Sequence, residues 1–490
     1  MFGEVKNMIL NVIPRLNKVD FTGGESCLDL NNIKYSADES YGDEEYGIVI
    51  NGEGIEVTSK GEKGKFYALK TLDQIKNMGK VPHCVIKDSP EFAYRGFMID
   101  SARHMQTVDE IKTYIEAASR YKFNIFHWHL CDDQGWRIES EKYPLLNEKG
   151  SWRDCHGFGS PNMEKYGGYY TKDEIRDVIK FCEDRFIEVV PEIDMPGHTT
   201  AIVSTFPELS CRGVQIPLET TGGIFKNILC AGNEAVFDFC FGILDEVMEL
   251  FPCKYIHIGG DEAPKARWCN CEKCQQRIKD EHLNNVEELQ GYFANRIIAY
   301  LKGKGKEVLA WNESLNSGIL DDDCIICDWM DRTHKSEAYA NEGGGIIIED
   351  FYHYYLDYPY GMTPLKKTYT YEPYLKKLTQ MGRNRVLGVE SPIWTEYIED
   401  FSKMCYMCFP RVVAVAERGW VNPDKADYKD FKIRMKNDIP YLKEIGITPA
   451  DPSEWDPPLN VRIEKTWGHL KKSLSPASIK ATLFPNKDED

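Results

Sequence analysis

The chain has 490 residues, 42% of them hydrophobic, which is enough for two or three domains or for one large α/β barrel with an appendage. Its 78 acidic residues against 60 basic ones give a net charge of −18, which argues against a nucleic-acid partner, because binding a phosphate backbone requires clustered lysine and arginine. No run of about 18 apolar residues occurs, so we expect no membrane span.

The cysteines and the N-terminus bear on the cellular compartment. Residues 1–16 carry an acidic group and a proline, which is unlike a signal or transit peptide. Eight of the 16 cysteines stand in apolar segments, as small core side chains do. Thiols in this number without a leader predict a reducing, cytoplasmic location. A secreted chain trimmed of its signal peptide would show the same pattern, so that alternative stays open.

Residues 1–88 are predicted to form a small α+β accessory domain. Two β-like runs, YGIVI and GIEVTS, flank Asn51-Gly52, a dipeptide typical of two-residue hairpins because both turn positions need positive φ. The next segment, KGKFYALKTLDQIK, has apolar residues at helical spacing and predicts a helix packed on the hairpin. The stretch VPHCVIKDSPEF contains two prolines and is predicted to be the linker.

Residues 89–450 are predicted to form a (β/α)8 TIM barrel, because short apolar runs alternate with longer amphipathic segments. Eight such runs with intervening helices match this architecture, whose usual length is about 250 residues before insertions. A doubly wound open sheet is the competing fold, but no GxGxxG or Walker loop follows an early strand. Residues 451–490 are predicted to be an extension that packs on the barrel. The strand candidates are RGFMID, NIFHWHL, EVVPEID, YIHIGG, EVLAWN, CIICDWM, GIIIEDF and VLGVESPIW.

Charged and aromatic residues follow all eight strand candidates, where barrel enzymes carry their active sites. A barrel built only for stability does not need them at every strand end. Trp311, Trp329 and Trp394 are expected to form an aromatic box for a sugar, since pyranose C–H faces stack on indole while hydroxyls bind Arg and Asp. For any one tryptophan alone, core packing is the simpler explanation.

The fourth candidate strand ends in HIGGDE, and this motif is the predicted catalytic centre. Gly259 and Gly260 remove side chains at a point of close approach, and Asp261 and Glu262 follow them. An isolated acidic pair is usually a solvated turn. Paired glycosidase carboxyls lie about 5–9 Å apart, whereas consecutive Cα atoms are about 3.8 Å apart and successive strand side chains point to opposite faces. If a 2-acetamido group of the substrate is the nucleophile, one carboxyl can protonate the leaving oxygen while its neighbour holds the acetamido N–H.

The sequence motifs between Tyr94 and Glu396 resemble those of glycoside hydrolase family 20, the β-N-acetylhexosaminidases. They occur in the family's order and together are highly specific for it. The resemblance implies an exo-acting, retaining enzyme that removes terminal nonreducing β-linked N-acetylhexosamine, GlcNAc or GalNAc, by substrate-assisted catalysis through an oxazolinium intermediate. It implies no cofactor and no catalytic metal. The motifs are RGFMIDSARH, HWHLCDDQGWR, PEIDMPGHT, HIGGDE, AWNE, YLDYP and the G-x-E-x-x-x-W-x-E run from Gly388 to Glu396.

The resemblance also implies a role for individual residues. Glu262 would be the general acid/base, Asp261 would orient and stabilise the acetamido group, and Tyr355 would bind its carbonyl. Arg103 and Glu396 would clamp the hydroxyls at the nonreducing end.

Three further residues complete the implied substrate site. Asp357 would lie near the leaving group. Asp132 would support Glu262 through His198.

Cys269-x-Cys271-x-x-Cys274 follows the predicted catalytic strand and has three possible explanations. The thiols could bind zinc with a fourth ligand, form a disulfide, or be unrelated cysteines. No second CxxC nearby supplies an obvious fourth ligand.

Two other functions compete with the glycosidase. His127-x-His129 resembles the ligand pair of metal-dependent barrel hydrolases, because alternate strand positions share a face. That pair belongs on a first strand, whereas here it stands on the second, so hydrogen-bonded histidines at the pocket floor are the favoured interpretation. A noncatalytic sugar-binding barrel is the other alternative, and it would not need Glu262.

The sequence leaves the sugar, the linkage and the oligomeric state open. The expected partner is a glycan or amino-sugar oligosaccharide. Two long loops, GFGSPNMEKYGGYYT and FPELSCRGVQIPLETTGGIFKNILC, could cover or extend the pocket or form a homodimer contact.

Overall fold

The computed structural model describes residues 10–156, 158 and 164–473. The N-terminal part is a five-stranded sheet in the order β1-β5-β3-β4-β2, with the 14-residue helix α1 against it. Isoleucines of β3 and β4 and the inner face of α1 form its core. The element bounds are β1 (Lys18–Cys27), β2 (Ile33–Ala37), β3 (Tyr46–Asn51), β4 (Gly54–Ser59), α1 (Glu62–Ile75) and β5 (Lys80–Asp88).

The predicted β3–β4 hairpin is present, but its turn is one residue further along the chain. Asn51 pairs with Gly54, so Gly52 and Glu53 form the turn and Gly54 takes the positive φ of 134°. This register sets Ile50 opposite Ile55, whereas a turn at Asn51-Gly52 would set Ile50 opposite an acid. Matching of apolar side chains on the buried face therefore outweighs the turn preference of the dipeptide.

The predicted linker is wrong, because most of it is β5, an interior strand of the sheet. Val81, Cys84 and Ile86 are buried, and β5 pairs with both β1 and β3. Pro82 is tolerated because β3 pairs with β5 only from Cys84 onward, so one side of the strand has no partner at the proline.

Eight parallel strands close into a barrel in sequence order, which confirms the predicted TIM barrel. All eight strand candidates are barrel strands. Two short antiparallel ribbons, β8 with β9 and β10 with β11, lie in the connection after the second barrel strand. The bounds are β6 (Tyr94–Asp100), β7 (Ile125–His129), β8 (Cys131–Asp132), β9 (Gly135–Trp136), β10 (Trp152–Arg153), β11 (Tyr166–Gly167), β12 (Glu188–Glu192), β13 (Tyr255–His257), β14 (Glu307–Trp311), β15 (Ile325–Asp328), β16 (Ile346–Ile348) and β17 (Val386–Ile393).

Helices surround the barrel, and most of the long ones carry an apolar stripe that faces the strands. Thr107 and Thr171 begin α2 and α3 with capping boxes, in which a glutamate three residues later reaches back to the cap. The helices are α2 (Val108–Arg120), α3 (Lys172–Glu183), α4 (Thr200–Thr205), α5 (Glu234–Leu250), α6 (Ala266–Asn270), α7 (Glu272–Asp280), α8 (Val286–Gly303), α9 (Lys335–Asn341), α10 (Leu365–Tyr369), α11 (Gln380–Arg383), α12 (Phe401–Cys408), α13 (Arg411–Trp420), α14 (Tyr428–Glu444) and α15 (Leu459–Ser473).

Strand β7 shows how the barrel separates its two layers of side chains. Phe126 and Trp128 belong to the core between the strands and the helices. Ile125 belongs to the smaller cluster inside the barrel, and His127 and His129 are its neighbours on the same face. The period of two therefore directs both histidines to the barrel axis.

The N-terminal domain is joined to the barrel by buried polar contacts. Trp420, the last residue of α13, packs into the core of the domain, and its indole N–H donates to Asp88 at 3.0 Å. Asp88 also pairs with the fully buried Lys122 at 3.3 Å. Since both charges are buried, removing either partner would leave the other uncompensated.

No helix in the described part of the chain combines the length and the apolar character needed to cross a bilayer. Residues 157 and 159–163 of the first long loop lie outside the described residues, and so do residues 474–490 of the predicted C-terminal extension.

Candidate active site

The carboxyl ends of the barrel strands surround a pocket of about 160 Å³. Ten of the eleven residues predicted for the site line it, and Trp311 does not. Three aromatic or acidic residues that the prediction lacked also line it, Asp194, Phe351 and Tyr358. The full lining is Arg103, Asp132, Asp194, His198, Asp261, Glu262, Trp329, Phe351, Tyr355, Asp357, Tyr358, Trp394 and Glu396.

Asp261 and Glu262 both face this pocket although they are adjacent in sequence. Glu262 has φ of 44°, the left-handed region that non-glycine residues adopt at a cost of about 1–2 kcal/mol. Strand β13 has already ended at His257, so the alternation of a strand no longer applies. The turn of the backbone at Glu262 therefore places both carboxyls on one side.

Gly259 and Gly260 allow this turn. Their φ angles are 69° and 99°, and a Cβ at Gly259 would overlap the carboxylate of Asp194. A Cβ at Gly260 would overlap the hydroxyl of Ser314. The Gly260 N–H donates to Asp194 at 3.2 Å. The close approach predicted at these glycines is therefore an approach by protein side chains from neighbouring strand ends.

His198 lies between the two carboxyls and a pair of aspartates. Its Nε2 is 3.5 Å from Glu262 Oε2 and 3.9 Å from Asp261 Oδ2. Its Nδ1 is 3.2 Å from Asp132 and 3.0 Å from Asp133. Burial lowers the pKa of His198, but the surrounding carboxylates, Asp132 foremost, raise it well above its usual value. The imidazolium is thus a positive charge beside the acidic pair.

Asp261 is the more buried member of the pair, since its side chain is 13% exposed against 30% for Glu262. Burial raises the pKa of Asp261 to about 7. The charge of His198 opposes this rise, and the charge of Glu262 adds to it. Burial thus favours the protonated form of Asp261, and the positive charge of His198 beside it is what favours the ionised form.

Glu313, which follows β14, fixes the backbone of the second acid. The Glu262 N–H donates a 2.9 Å hydrogen bond to Glu313 Oε2. Burial and the charge of Glu262 raise the pKa of Glu313. A carboxylate that accepts this N–H helps to hold Glu262 in its left-handed conformation.

Arg103 lines the same pocket and is surrounded by acids. It is 2.6 Å from Asp132, 3.3 Å from Asp100 and 3.9 Å from Glu396, and its guanidinium lies over the Trp394 ring. Burial raises the pKa of Asp357 to about 8, and the charge of Glu396 adds to the rise. Arg103, Glu396 and Asp357 therefore present donors and acceptors suited to sugar hydroxyls.

Three pocket residues carry buried polar atoms without a hydrogen-bond partner among the described residues: Asp261 Oδ1, Asp357 Oδ1 and Trp329 Nε1. A buried polar atom left unpaired costs roughly 1–3 kcal/mol, so such atoms are normally satisfied by a ligand or by water. The pocket therefore offers two acceptors and one donor to a polar ligand.

The aromatic walls differ from the predicted box. Trp329 stacks with Tyr355 at 6.1 Å, and Phe351 packs against both rings. Burial raises the pKa of Tyr355 well above its usual value, so the phenol keeps its proton and can donate it in a hydrogen bond. Trp311 is only 1% exposed, because its indole N–H donates to Glu192 at 2.9 Å beneath the pocket. Trp311 belongs to the floor and not to the wall.

The floor also contains the two histidines of the predicted metal-ligand pair. His127 is bonded to Glu390 at 2.6 Å and lies 3.1 Å from Glu192. His129 is bonded to Glu192 and, at 2.9 Å, to Asp132. Carboxylates lie within 3.1 Å of both nitrogens of each ring, although His127 Nε2 makes no hydrogen bond among the described residues. This supports the interpretation that the two histidines shape the pocket floor.

Several contributors were not assigned a role from the sequence. Phe351 and Tyr358 follow β16, where only Tyr355 and Asp357 were singled out, and YLDYP contains Tyr358 itself. Asp133 and Glu313 stand at strand ends like the assigned acids, but nothing in the sequence shows what they touch.

Residues 92–423 match the profile described as glycosyl hydrolase family 20, catalytic domain, and residues 22–89 match its domain 2. The catalytic-domain match spans the barrel and the pocket. The chain belongs to glycosyl hydrolase family 20. This confirms the family predicted from the motifs.

Relatives within family 20 are similar over most of this chain. A beta-hexosaminidase of Porphyromonas gingivalis is 36% identical over 437 residues, which are 83% of this chain and 54% of the relative. A beta-hexosaminidase of Akkermansia muciniphila is 31% identical over 80% of this chain and 82% of its own. The chain thus spans about half the length of the Porphyromonas relative.

A solved family 20 structure has the same fold. The exo beta-N-acetylglucosaminidase of Vibrio harveyi, determined in complex with N-acetylglucosamine, superimposes with a TM-score of 0.80 at 29% identity. The superposition covers 90% of this chain and 78% of that one. The barrel with its N-terminal domain is therefore a family architecture.

Proposed function

We propose that this protein is an exo-acting, retaining β-N-acetylhexosaminidase that removes a terminal nonreducing GlcNAc or GalNAc from a glycan by substrate-assisted catalysis. The observation that carries the proposal is the pairing of Asp261 and Glu262. Both carboxyls face one pocket, and Asp261 keeps a buried oxygen that has no hydrogen-bond partner in the described part of the chain. The names of the family 20 relatives, beta-hexosaminidase and exo beta-N-acetylglucosaminidase, support the same reaction.

In the first step, Glu262 protonates the glycosidic oxygen while the acetamido carbonyl oxygen attacks C1 from the opposite face. The C1–leaving-group bond breaks, and an oxazolinium ion forms within the sugar. Asp261 accepts the acetamido N–H and stabilises the developing positive charge, for which it must be ionised. Tyr355 donates to the acetamido oxygen and orients it.

In the second step, Glu262 acts as a base. It takes a proton from water as the water oxygen attacks C1, and the oxazolinium ring opens to regenerate the acetamido group. Two inversions at C1 give net retention of configuration. His198, held by Asp132 and Asp133, keeps the carboxyl of Glu262 in position throughout.

Exo action follows from the size and polarity of the pocket. A pocket of about 160 Å³ suits one sugar ring better than a glycan chain that passes through it. Arg103 and Glu396 bind the hydroxyls of the nonreducing end. We assign Asp357 to the same hydroxyls and not, as the resemblance implied, to the leaving group, because the charge of Glu396 acts on it. GlcNAc and GalNAc differ only at C4, so these side chains are the ones that would discriminate between them.

The proposal is tested with p-nitrophenyl β-glycosides of GlcNAc, GalNAc and glucose, measured side by side. We expect the glucoside to react at least about 1,000-fold more slowly in kcat/KM than the better acetamido substrate, because it has no internal nucleophile. Replacing the acetyl group by trifluoroacetyl should also lower kcat, since fluorine weakens the carbonyl nucleophile. Comparable hydrolysis of the glucoside would refute substrate assistance, and binding of GlcNAc without any product would favour a noncatalytic barrel.

A further inference from the structure

We propose that Cys211, Cys230, Cys271 and Cys274 bind one structural Zn²⁺ ion beside the active-site loops. The four thiols come from two distant parts of the chain. Cys211 and Cys230 belong to the long loop after β12, and Cys271 and Cys274 form a CxxC at the start of α7. All four Sγ atoms lie within 4.8 Å of one another.

The sulfur positions have the dimensions of a tetrahedral zinc site. Cys211 and Cys274 are separated by 3.8 Å, Cys230 and Cys271 by 3.7 Å, and Cys230 and Cys274 by 3.6 Å, all between Sγ atoms. Four sulfurs at about 2.3 Å from one zinc ion lie about 3.8 Å apart at the corners of a tetrahedron. A disulfide would need about 2.05 Å. The observed edges therefore fit a shared ion.

Backbone contacts hold the two halves of the cluster in place. An antiparallel bridge joins Ser210 to Leu229, and the Cys230 N–H donates to Leu209 at 2.9 Å, so the two cysteines that follow Ser210 and Leu229 lie side by side. Gly232 lies so close to Lys273 that a Cβ there would overlap its backbone carbonyl carbon. The site is thus formed by rigid backbone on both sides.

The donor set selects for zinc in a structural role. The donor atoms grouped here among the described residues are four sulfurs, and thiolates prefer Zn²⁺ or iron over the oxygen-seeking Mg²⁺ and Ca²⁺. Cys230 and Cys274 are fully buried, and Cys211 and Cys271 are partly covered. Four protein ligands close a tetrahedral ion completely, and a closed site stabilises structure but leaves no position for a substrate.

The cluster lies next to the segments that carry the catalytic residues. The Leu229 N–H donates to Pro196 O at 3.2 Å, two residues before His198. The Trp268 indole N–H donates to Leu229 O at 2.9 Å, and Trp268 stands six residues after Glu262. One ion would therefore fasten the loop after β12 to the segment after β13, the two strand ends that supply His198 and the acidic pair.

Cys269 is not part of the cluster, contrary to the three-cysteine pattern that the sequence presents. Its side chain is exposed, and it lies on α6 before the CxxC. Of the three cysteines in the sequence pattern, Cys271 and Cys274 are proposed ligands and Cys269 is not. This makes Cys269 a matched control, because the same substitution two positions from a ligand should leave the metal in place.

The test is metal analysis of the intact, untagged protein by mass spectrometry, together with single Cys→Ser variants. We expect about one zinc per chain in the wild type and in Cys269→Ser, and loss of that zinc in Cys230→Ser and Cys274→Ser. Iron in place of zinc, or zinc retained in either ligand variant, would overturn the proposal. The readout is metal content, so it does not depend on the proposed hydrolysis.

A second measurement covers the case in which the ligand variants fail to fold. Wild-type protein is titrated with a mercurial reagent while released zinc is followed with a colorimetric chelator. We expect zinc release to parallel mercaptide formation at the cluster thiols. Wild-type protein that contains no zinc and shows these cysteines as disulfides in peptide mapping would refute the site.

Discussion

The backbone N–H of Glu262 donates a 2.9 Å hydrogen bond to Oε2 of Glu313, so the ends of two neighbouring barrel strands together position the proposed acid. Glu313→Ala removes the acceptor and releases the left-handed backbone at Glu262. We expect kcat to fall by about 10- to 100-fold with a smaller change in KM, because the proton donor is misplaced.

The matched control for Glu313 is Glu307, at the other end of the same strand. Glu307 is half-exposed and pairs with Lys254 at 3.3 Å. An exposed pair contributes little, so Glu307→Ala should leave kcat and KM unchanged. Equal losses in both variants would show that Glu313 acts only through the stability of β14.

Glu262→Gln tests the general acid directly. We expect kcat to fall by about 10²- to 10⁴-fold for a substrate with a poor leaving group, since the amide cannot protonate the departing oxygen. The loss should shrink for a dinitrophenyl leaving group, which departs without a proton. A loss of the same size for both leaving groups would be inconsistent with proton donation.

The pKa of Asp261, raised to about 7 by burial, predicts the acid limb of the pH profile. Asp261 must be ionised to accept the acetamido N–H, so kcat/KM should fall as pH falls below about 7. In Asp261→Asn the residual kcat/KM should be low and should lose this limb. An unchanged limb in the variant would assign it to another group.

The raised pKa of Asp261 also affects stability, and here the protonated form is the favourable one, whereas activity requires the ionised form. A carboxyl whose pKa is raised in the folded state binds its proton more tightly there, so folding free energy is lost as pH rises from about 4 to about 7, and the full cost remains above pH 7. Asp261→Asn removes that cost. We expect the variant to gain stability relative to wild type by on the order of 1 kcal/mol at pH 8, and to lose the gain toward pH 4, in urea unfolding.

Gly259→Ala tests the close approach beneath the acidic pair. A methyl group there would overlap Asp194 and would also sit at φ of 69°. Gly305 has φ of 80° with open space around it, so Gly305→Ala carries the backbone strain without the overlap. We expect a loss of about 1–2 kcal/mol for Gly305→Ala and a larger one, with loss of activity, for Gly259→Ala, measured by unfolding and by kinetics. Equal losses would mean that Asp194 simply moves aside.

The barrel could be predicted from the sequence because each of its strands is a short apolar run bounded by polar residues. The β5 strand was missed because two prolines suggested a linker, although buried Cys84, Ile86 and Asp88 alternate with exposed Val85 and Lys87. The hairpin register depended on which isoleucines meet across the strands. Turn chemistry alone could not decide it.

The candidate site likewise has features that the sequence predicts and features that it does not. Its residues could be predicted because they stand at strand ends and within motifs that resemble those of family 20, but their contacts could not. Trp311 turns to the floor because Glu192, 119 positions earlier, accepts its N–H. Glu262 reaches the pocket through a left-handed backbone conformation, which cannot be predicted from the sequence at a non-glycine residue. The other two cysteines of the cluster, Cys211 and Cys230, lie far upstream of the CxxC and could not be assigned to it from the sequence.

Arg103, Asp132, His198 and Glu262 form a continuous series of contacts of 2.6, 3.2 and 3.5 Å. Asp132 thus serves two neighbours, the guanidinium proposed to bind the sugar and the imidazolium that contacts the proposed proton donor. In the proposed mechanism, recognition and proton transfer therefore share one carboxylate. Redesigning the sugar preference at Arg103 by a change of charge would therefore also disturb the chemistry at the scissile bond, whereas a redesign that keeps the positive charge would leave the two tasks separable.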